Sequence, residues 1–353
     1  MTPHGRVIRL LALGAGVALL LAMIVEAGPS RLAAEALGIG PAFLLIVPVS
    51  FSWFALNAWG WRLALQAQGA GAVPGLWPLV RAYLAAEAVN NITPFMAVGG
   101  EPLKVALLAS RVAPERTVAS VIGDNVVHAL TAPLFMLGGL ALGCVAFELE
   151  RGLVLQLIAA TAIIGLPAAV AWIATGRGVA GPLVRLAASR IGGADRGAWS
   201  AKAGRVDALT SAFLGAGGWR FWAAIALHMA GRTMGAVEAW IILEALGVPV
   251  SVAGAMFVIA VAHVAVNIVF SIIPSQVGVQ EAAAYVVFAA VGLDPASAVT
   301  LMLVRRVRGF IWIAAGLGLA ARPPASPARG AGFARPGGPE GPPYVPGAAA
   351  PGC

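Results

Sequence analysis

Two stretches of this sequence set ionisable and amide side chains beside a proline: "NNITPFMAVGGEPLK" at 90 to 104 and "NIVFSIIPSQVGVQE" at 267 to 281. Each has an amide (Asn90 and Asn91; Asn267), a proline (Pro94; Pro274), a turn glycine (Gly99 and Gly100; Gly278) and a glutamate seven residues after the proline (Glu101; Glu281). Proline lacks an N–H and breaks a helix, which frees carbonyls. Glycine lets the chain turn and lets a ligand approach the backbone. The helix that resumes offers unpaired N–H groups to an anion such as phosphate. The chemistry expected here is recognition of a polar group. Two readings of Glu101 and Glu281 stand side by side. Each favours the helix dipole by about 0.3–1 kcal/mol, or each positions a cationic partner or takes up a proton.

Further residues could join such a site. Lys104 lies three residues after Glu101, close enough on a helix to pair with it, and is also a candidate for a lipid phosphate. Asp124 and His128 share a helix face at i and i+4, with Asn125 beside them. His228 and Arg232 repeat that spacing, with Glu238 and Glu244 further along, while Arg305, Arg306 and Arg308 crowd one segment. Arg232, in an apolar run, needs a partner or water. Glu87 and Arg81 precede the first break, where Arg81 could snorkel to an interface. His263 reads as a satisfied core residue. No G-x-x-x-x-G-K-[ST] loop, H-E-x-x-H or G-x-S-x-G motif occurs, so an ATP-driven pump, a protease or an esterase has no support. Cys144 and Cys353 have no C-x-x-C spacing, and Cys353 is not placed for prenylation. No metal, cofactor or enzyme activity is expected.

The elements that position these residues must sit in a membrane. The chain is 60% hydrophobic and 11% charged, against about 25% charged in soluble domains. Its net charge of +8 comes from 23 Lys+Arg against 15 Asp+Glu. It reflects topology and anionic-lipid contact, because no basic stripe with interleaved aromatics points to nucleic acid.

Spans are expected at Leu10 to Val25, Pro41 to Leu65, Thr117 to Val145, Leu153 to Thr175, Trp219 to Leu246 and Ser297 to Ala321. The first, followed by "VEAGPS", also fits a signal peptide with Val25 and Ala27 before the cut. Trp53, Trp59 and Trp61 suit a membrane interface. Interrupted regions fall at 77 to 111 and 253 to 291. The connection at 177 to 218 is polar and Arg-rich, hence cytoplasmic, and the Pro/Gly-rich tail at 322 to 353 is expected to be disordered and cytoplasmic.

The two interrupted regions match beyond the proline. Thirteen residues after Glu101 comes Pro114, and fourteen after Glu281 comes Pro295; ten further on lie Asp124 and Arg305. With the flanking spans running in opposite directions, this is an inverted repeat of three plus three elements, a plan of secondary transporters. The expected fold is an all-α polytopic membrane protein. It has about six full spans plus two broken or re-entrant hairpins, or eight or more segments if these cross. One transmembrane domain at 1–321 holds repeat one at about 7–150 and repeat two at about 151–321. Two-fold symmetry would bring Asp124 towards Arg305 or Arg306.

"TPFMAVGGEPLKVALL" and "IIPSQVGVQEAA" with the arginine-bearing last helix resemble the two signatures of the lysylphosphatidylglycerol synthase transmembrane region family, also called flippase-like membrane proteins. Pro94, Gly100, Glu101 and Lys104 match the first; Pro274, Gly278, Glu281 and Arg306 or its neighbour match the second. Lys104 stands where Arg is commoner, and Ser275 and Gln276 replace a glycine pair, which bears on local turn geometry. The resemblance covers about 7 to 321 and implies the lipid-translocating half of bifunctional members, without the soluble aminoacyltransferase. It implies a flippase for a polar-headgroup or polyprenyl-type lipid in a bacterial-type inner membrane, with cytoplasmic termini and membrane lipid as partner. The alternatives are an integral membrane enzyme acting on headgroups, or a scaffold for lipid-biosynthesis enzymes, for example in a hopanoid pathway.

Overall fold

The protein is described by a computed structural model covering residues 25, 28–69, 71–92, 100–178, 196–215, 217–269 and 278–321. Pro94, Gly99 and Pro274 lie outside them, as do the first expected span, most of the signal-peptide alternative and the tail.

Among the described residues the fold is helical throughout, with eleven main helices. They are α1 (Pro29–Gly38), α2 (Ala42–Ala67), α3 (Leu76–Ile92), α4 (Gly100–Leu108), α5 (Pro114–Ala146), α6 (Arg151–Gly176), α7 (Arg196–Leu214), α8 (Trp219–Ala245), α9 (Val252–Val269), α10 (Val279–Ala290) and α11 (Pro295–Ala320). At 1.5 Å per residue a 26-residue helix is about 39 Å long, enough for a hydrocarbon core of about 30 Å. α2, α5 and α6 are both long and apolar enough to cross a membrane. α8 and α11 are as long, at 27 and 26 residues, but interrupt their apolar runs with charged residues turned toward neighbouring helices.

α2 and α8 form the most extensive helix contact. α3 packs on α11 and α9 on α5, while α3–α4 and α9–α10 form two short hairpin-like pairs. Outward faces remain apolar: Leu155, Ile158, Ile163, Leu166 and Val170 of α6 are exposed, as lipid contact requires. The inner core gathers Ile242, Leu243, Phe257, Ile259, Phe288 and Leu301 from α8 to α11.

Two local features differ from the sequence expectation. The polar connection at 177 to 218 contains α7. Its Ala203, Val206, Thr210 and Phe213 are buried at helical spacing, an amphipathic stripe that packs on α5 and α6. Trp61, expected at an interface, is fully buried and donates from Nε1 to Ser120 Oγ at 2.9 Å. Trp59 of the same helix does face outward.

The start of α11 is held by Asp294, whose carboxylate accepts from the Ser297 and Ala296 N–H groups and the Ser297 hydroxyl and pairs with Arg31 of α1. Partial burial pushes this carboxyl up, but the bonds from Ser297, Ala296 and Arg31 outweigh it and hold it below its ordinary value of 3.8. A depressed folded-state value means that the contribution is complete above the ordinary value and disappears as pH falls through the folded one. Asp294→Ala is expected to cost about 1 kcal/mol, as loss of an N-cap does. The difference in melting temperature from wild type, followed by scanning calorimetry, should shrink in that acidic window and stay constant at neutral pH.

A buried charge cluster as candidate functional site

α4 carries Glu101 in its opening turn and Lys104 one turn later. Lys104 is only 1% exposed, so its ammonium must find partners inside the protein. Nζ lies 3.3 Å from Glu101 Oε2 and 3.8 Å from Asp124 Oδ2. It also sits over the rings of Tyr83 at 4.2 Å and Trp61 at 5.6 Å, whose π faces favour a cation. Asp124 of α5, equally buried, faces His228 of α8, with Oδ1 to Nε2 at 3.2 Å. The expected Glu101–Lys104 pair is thus present, as part of a larger cluster.

Two close approaches shape the cluster. A Cβ on Gly60 would lie 2.6 Å from the His228 ring; only glycine on α2 lets that imidazole stand between α2 and α8. Gly100 donates its N–H to Asn90 Oδ1 at 2.8 Å, so one amide joins the end of α3 to the start of α4. A Cβ at Gly100 would fall 2.4 Å from the Ala86 carbonyl oxygen. That neighbour is backbone and cannot swing away. Gly100→Ala is therefore expected to push α4 off α3 and to destabilise by about 1–3 kcal/mol, as overpacking does. Thermal unfolding of the detergent-purified variant measures this.

The cluster is not saturated. Both Asp124 oxygens, His228 Nε2, His128 Nδ1 and Glu101 Oε2 are buried without a hydrogen bond; the Asp124–His228 approach is close but not aligned as one. Buried polar atoms are normally bonded. His128 and His228 rings lie 5.8 Å apart. Arg232 does not pair with His228 but donates to Thr131 Oγ1 at 3.2 Å and to the His128 carbonyl at 2.9 Å.

A second charge cluster lies further along α8. Glu238, buried, takes Arg308 Nε at 2.7 Å and Arg305 NH1 at 3.2 Å, and Arg305 also donates to the Gly235 carbonyl. Glu281 begins α10 by accepting the Gly278 N–H at 2.9 Å, with Gly278 at φ 81°, and pairs with Arg306. Glu281 thus both caps the helix it opens and holds a cationic partner, so the geometry fits either of its two readings. Asp124 and Arg305 or Arg306 do not meet; the acid goes to α4 and α8 and the arginines to Glu238 and Glu281.

Of the other expected residues, Asn91 is exposed and donates to the Glu87 carbonyl, Asn267 donates to the His263 carbonyl, and His263 Nδ1 lies 2.8 Å from the Ile259 carbonyl. Arg81 donates to the Leu319 carbonyl of α11. Asn125 is turned outward. Sequence reasoning did not place Glu238, Arg308, Tyr83 or Trp61 in the site. An acid inside an apolar run was signal enough for Glu238, and Arg308 shares a face with Arg305 at i+3. The aromatics carry no signal that separates a cation box from an interface belt.

These features define a polytopic α-helical membrane protein with apolar outer faces and charges gathered inside. The chain belongs to the lysylphosphatidylglycerol synthase TM region family, which matches residues 7–318. Membership marks it as a membrane protein of a lipid-handling family. No curated protein and no solved structure matches it.

Proposed function

We propose that this protein is a lipid transporter of the flippase type. It would move a polar-headgroup or polyprenyl-type lipid across a bacterial-type cytoplasmic membrane, with both termini on the cytoplasmic side. The headgroup passes by the restarted helices while the acyl chains stay in lipid. The observation that carries this reading is the buried, unsaturated Glu101–Lys104–Asp124–His228 cluster at a helix restart. Buried ionisable residues of this kind are expensive in a membrane and mark substrate or ion pathways.

The packing pattern supports the inverted repeat. Exchanging α2 to α5 with α8 to α11 turns the α3–α11 contact into α9–α5 and the α3–α4 pair into α9–α10, and leaves α2–α8 as the central pair. Likewise α1 packs on α11 as α7 packs on α5. Six full spans with two re-entrant hairpins, or more spans where each hairpin makes two true crossings, fit this exchange equally and keep both termini on one side.

The test is headgroup exposure in proteoliposomes, with labelled glycerophospholipids and polyprenyl phosphates offered in parallel. Acceleration over empty vesicles for one of them is expected; none for any removes the proposal. Glu101, whose Oε2 has no hydrogen bond, could instead act as an acid or base in an enzyme that modifies headgroups. A modified headgroup made by the isolated protein and lost in Glu101→Gln would favour it. A scaffold for lipid-biosynthesis enzymes would instead tolerate that substitution and depend on the 177 to 218 segment.

A further inference from the structure

His228 presents a proton problem that its geometry states plainly. Nδ1 lies 2.9 Å from the Ala224 carbonyl, and a carbonyl only accepts, so Nδ1 carries the hydrogen. In a neutral ring the other nitrogen, Nε2, is then a bare acceptor. It faces Asp124 Oδ1 at 3.2 Å, also an acceptor when ionised. Two acceptors held face to face in a buried site repel unless a proton lies between them. Gly60 holds the imidazole against this arrangement, because its missing side chain is the space the ring fills.

The surroundings supply a balance of charge rather than a ready proton. Lys104 and Glu101 face Asp124 from α4. Tyr83 and Glu87 of α3 lie within its electrostatic reach. α5 itself adds His128, whose ring lies 5.8 Å from that of His228, and beside His128 stand Arg232 of α8 and His263 of α9. α2 contributes the Trp53 and Trp61 rings. α6 and α7 bring Ala160, Ile164, Thr210 and Phe213 to α5, with no charge among them.

From this geometry we propose that Asp124 and His228 form a buried proton-exchange site. One proton from water binds at Nε2, beside the Oδ1 that balances its charge, and returns to water when the pair opens. The proposal rests on the transport reading only for its consequence: the proton would be the coupling ion, reaching the site past Glu101, the one acid of the cluster with appreciable exposure, at 19%.

The site can be tested without any lipid. The full chain has four histidines, so 15N-histidine spectra of the purified protein in nanodiscs resolve them. The His228 signal is identified by its loss in His228→Gln, or by elimination through Gln at the other three. Its Nε2 is expected to pass between bare and protonated over the pH range in which the protein stays folded. Asp124→Asn should weaken proton binding about tenfold or more, the effect of losing a close opposite charge. An Nε2 that keeps one state across the range overturns the proposal, as does a titration unmoved by Asp124→Asn. The wild-type titration decides the first point even if the variant does not fold.

The second arm uses vesicles of phosphatidylethanolamine and phosphatidylglycerol carrying a headgroup-labelled phosphatidylglycerol. An imposed pH gradient should change the rate of headgroup exposure in wild type and not in Asp124→Asn. Lipid movement indifferent to the gradient overturns the coupling role and leaves transport standing. A titrating His228 with no lipid movement for any probe keeps the proton site and removes transport.

Discussion

Lys104→Met should be the most damaging single substitution in this protein, lowering stability by about 3–5 kcal/mol, the cost of removing one partner of a buried ion pair. The methionine roughly fills the lysine's volume, so the loss is one of charge. Nζ is what stands between the carboxylates of Glu101 and Asp124, and its removal leaves two acids sharing an interior with no hydrogen bond on either Asp124 oxygen. The aromatic faces of Tyr83 and Trp61, arranged around a cation, lose their partner as well. Unfolding of such proteins is commonly irreversible, so the useful readout is half-life at fixed temperature beside the melting temperature. Adding Asp124→Asn to Lys104→Met removes one of the two stranded charges. The double variant should regain much of the lost stability, a coupling visible in a double-mutant cycle. Any transport activity should stay lost. Simple additivity of the two single effects would show that the pair does not interact.

Glu238→Gln ranks second, at about 3 kcal/mol, the lower end of the same range. Glu238 is the shared counter-ion of Arg305 and Arg308 and ties α8 to α11. Glutamine keeps the shape but leaves two guanidinium groups facing a neutral amide. Arg305 still has the Gly235 carbonyl, and both arginines are more exposed than Lys104, which is why the loss is smaller. Glu244→Gln, one and a half turns along the same helix and exposed, should change stability by no more than about 0.5 kcal/mol, as surface substitutions usually do. Equal losses in the two variants would mean that the α8–α11 clasp contributes nothing beyond a general charge effect.

The inner arrangement explains why two long helices look poor as spans when read by hydropathy alone. α8 holds Arg232 and Glu238, and α11 holds Arg305, Arg306 and Arg308, in the stretches where α2, α5 and α6 are apolar. Each of these arginines faces another helix with an acid or a carbonyl waiting, and Glu238 is the acid for two of them. Burial in protein, not exposure to lipid, is the environment that sets their cost.

Much of this was legible from the chain itself. Composition set the membrane class, apolar run length set α2, α5 and α6, and the proline and glycine punctuation marked where α4 and α10 restart. Those are local properties: helix length and breakage depend on neighbours within a turn or two. The stripe at Ala203, Val206, Thr210 and Phe213 was equally local, and its polar flanks concealed it.

The partners were another matter. Spacing puts Asp124 and His128 on one face of a helix, yet nothing in that spacing says which helix the face meets. The fold turns Asp124 to Lys104 and His228 and sends Arg305 and Arg306 to Glu238 and Glu281. It also draws Trp61 from the expected interface into the box around a lysine. Sequence alone determined the membrane class, the long apolar helices and that charges would be buried. Only tertiary structure decided which charges meet, because that depends on helix rotation and on close approaches such as Gly60 against His228, set by contacts far apart in the chain.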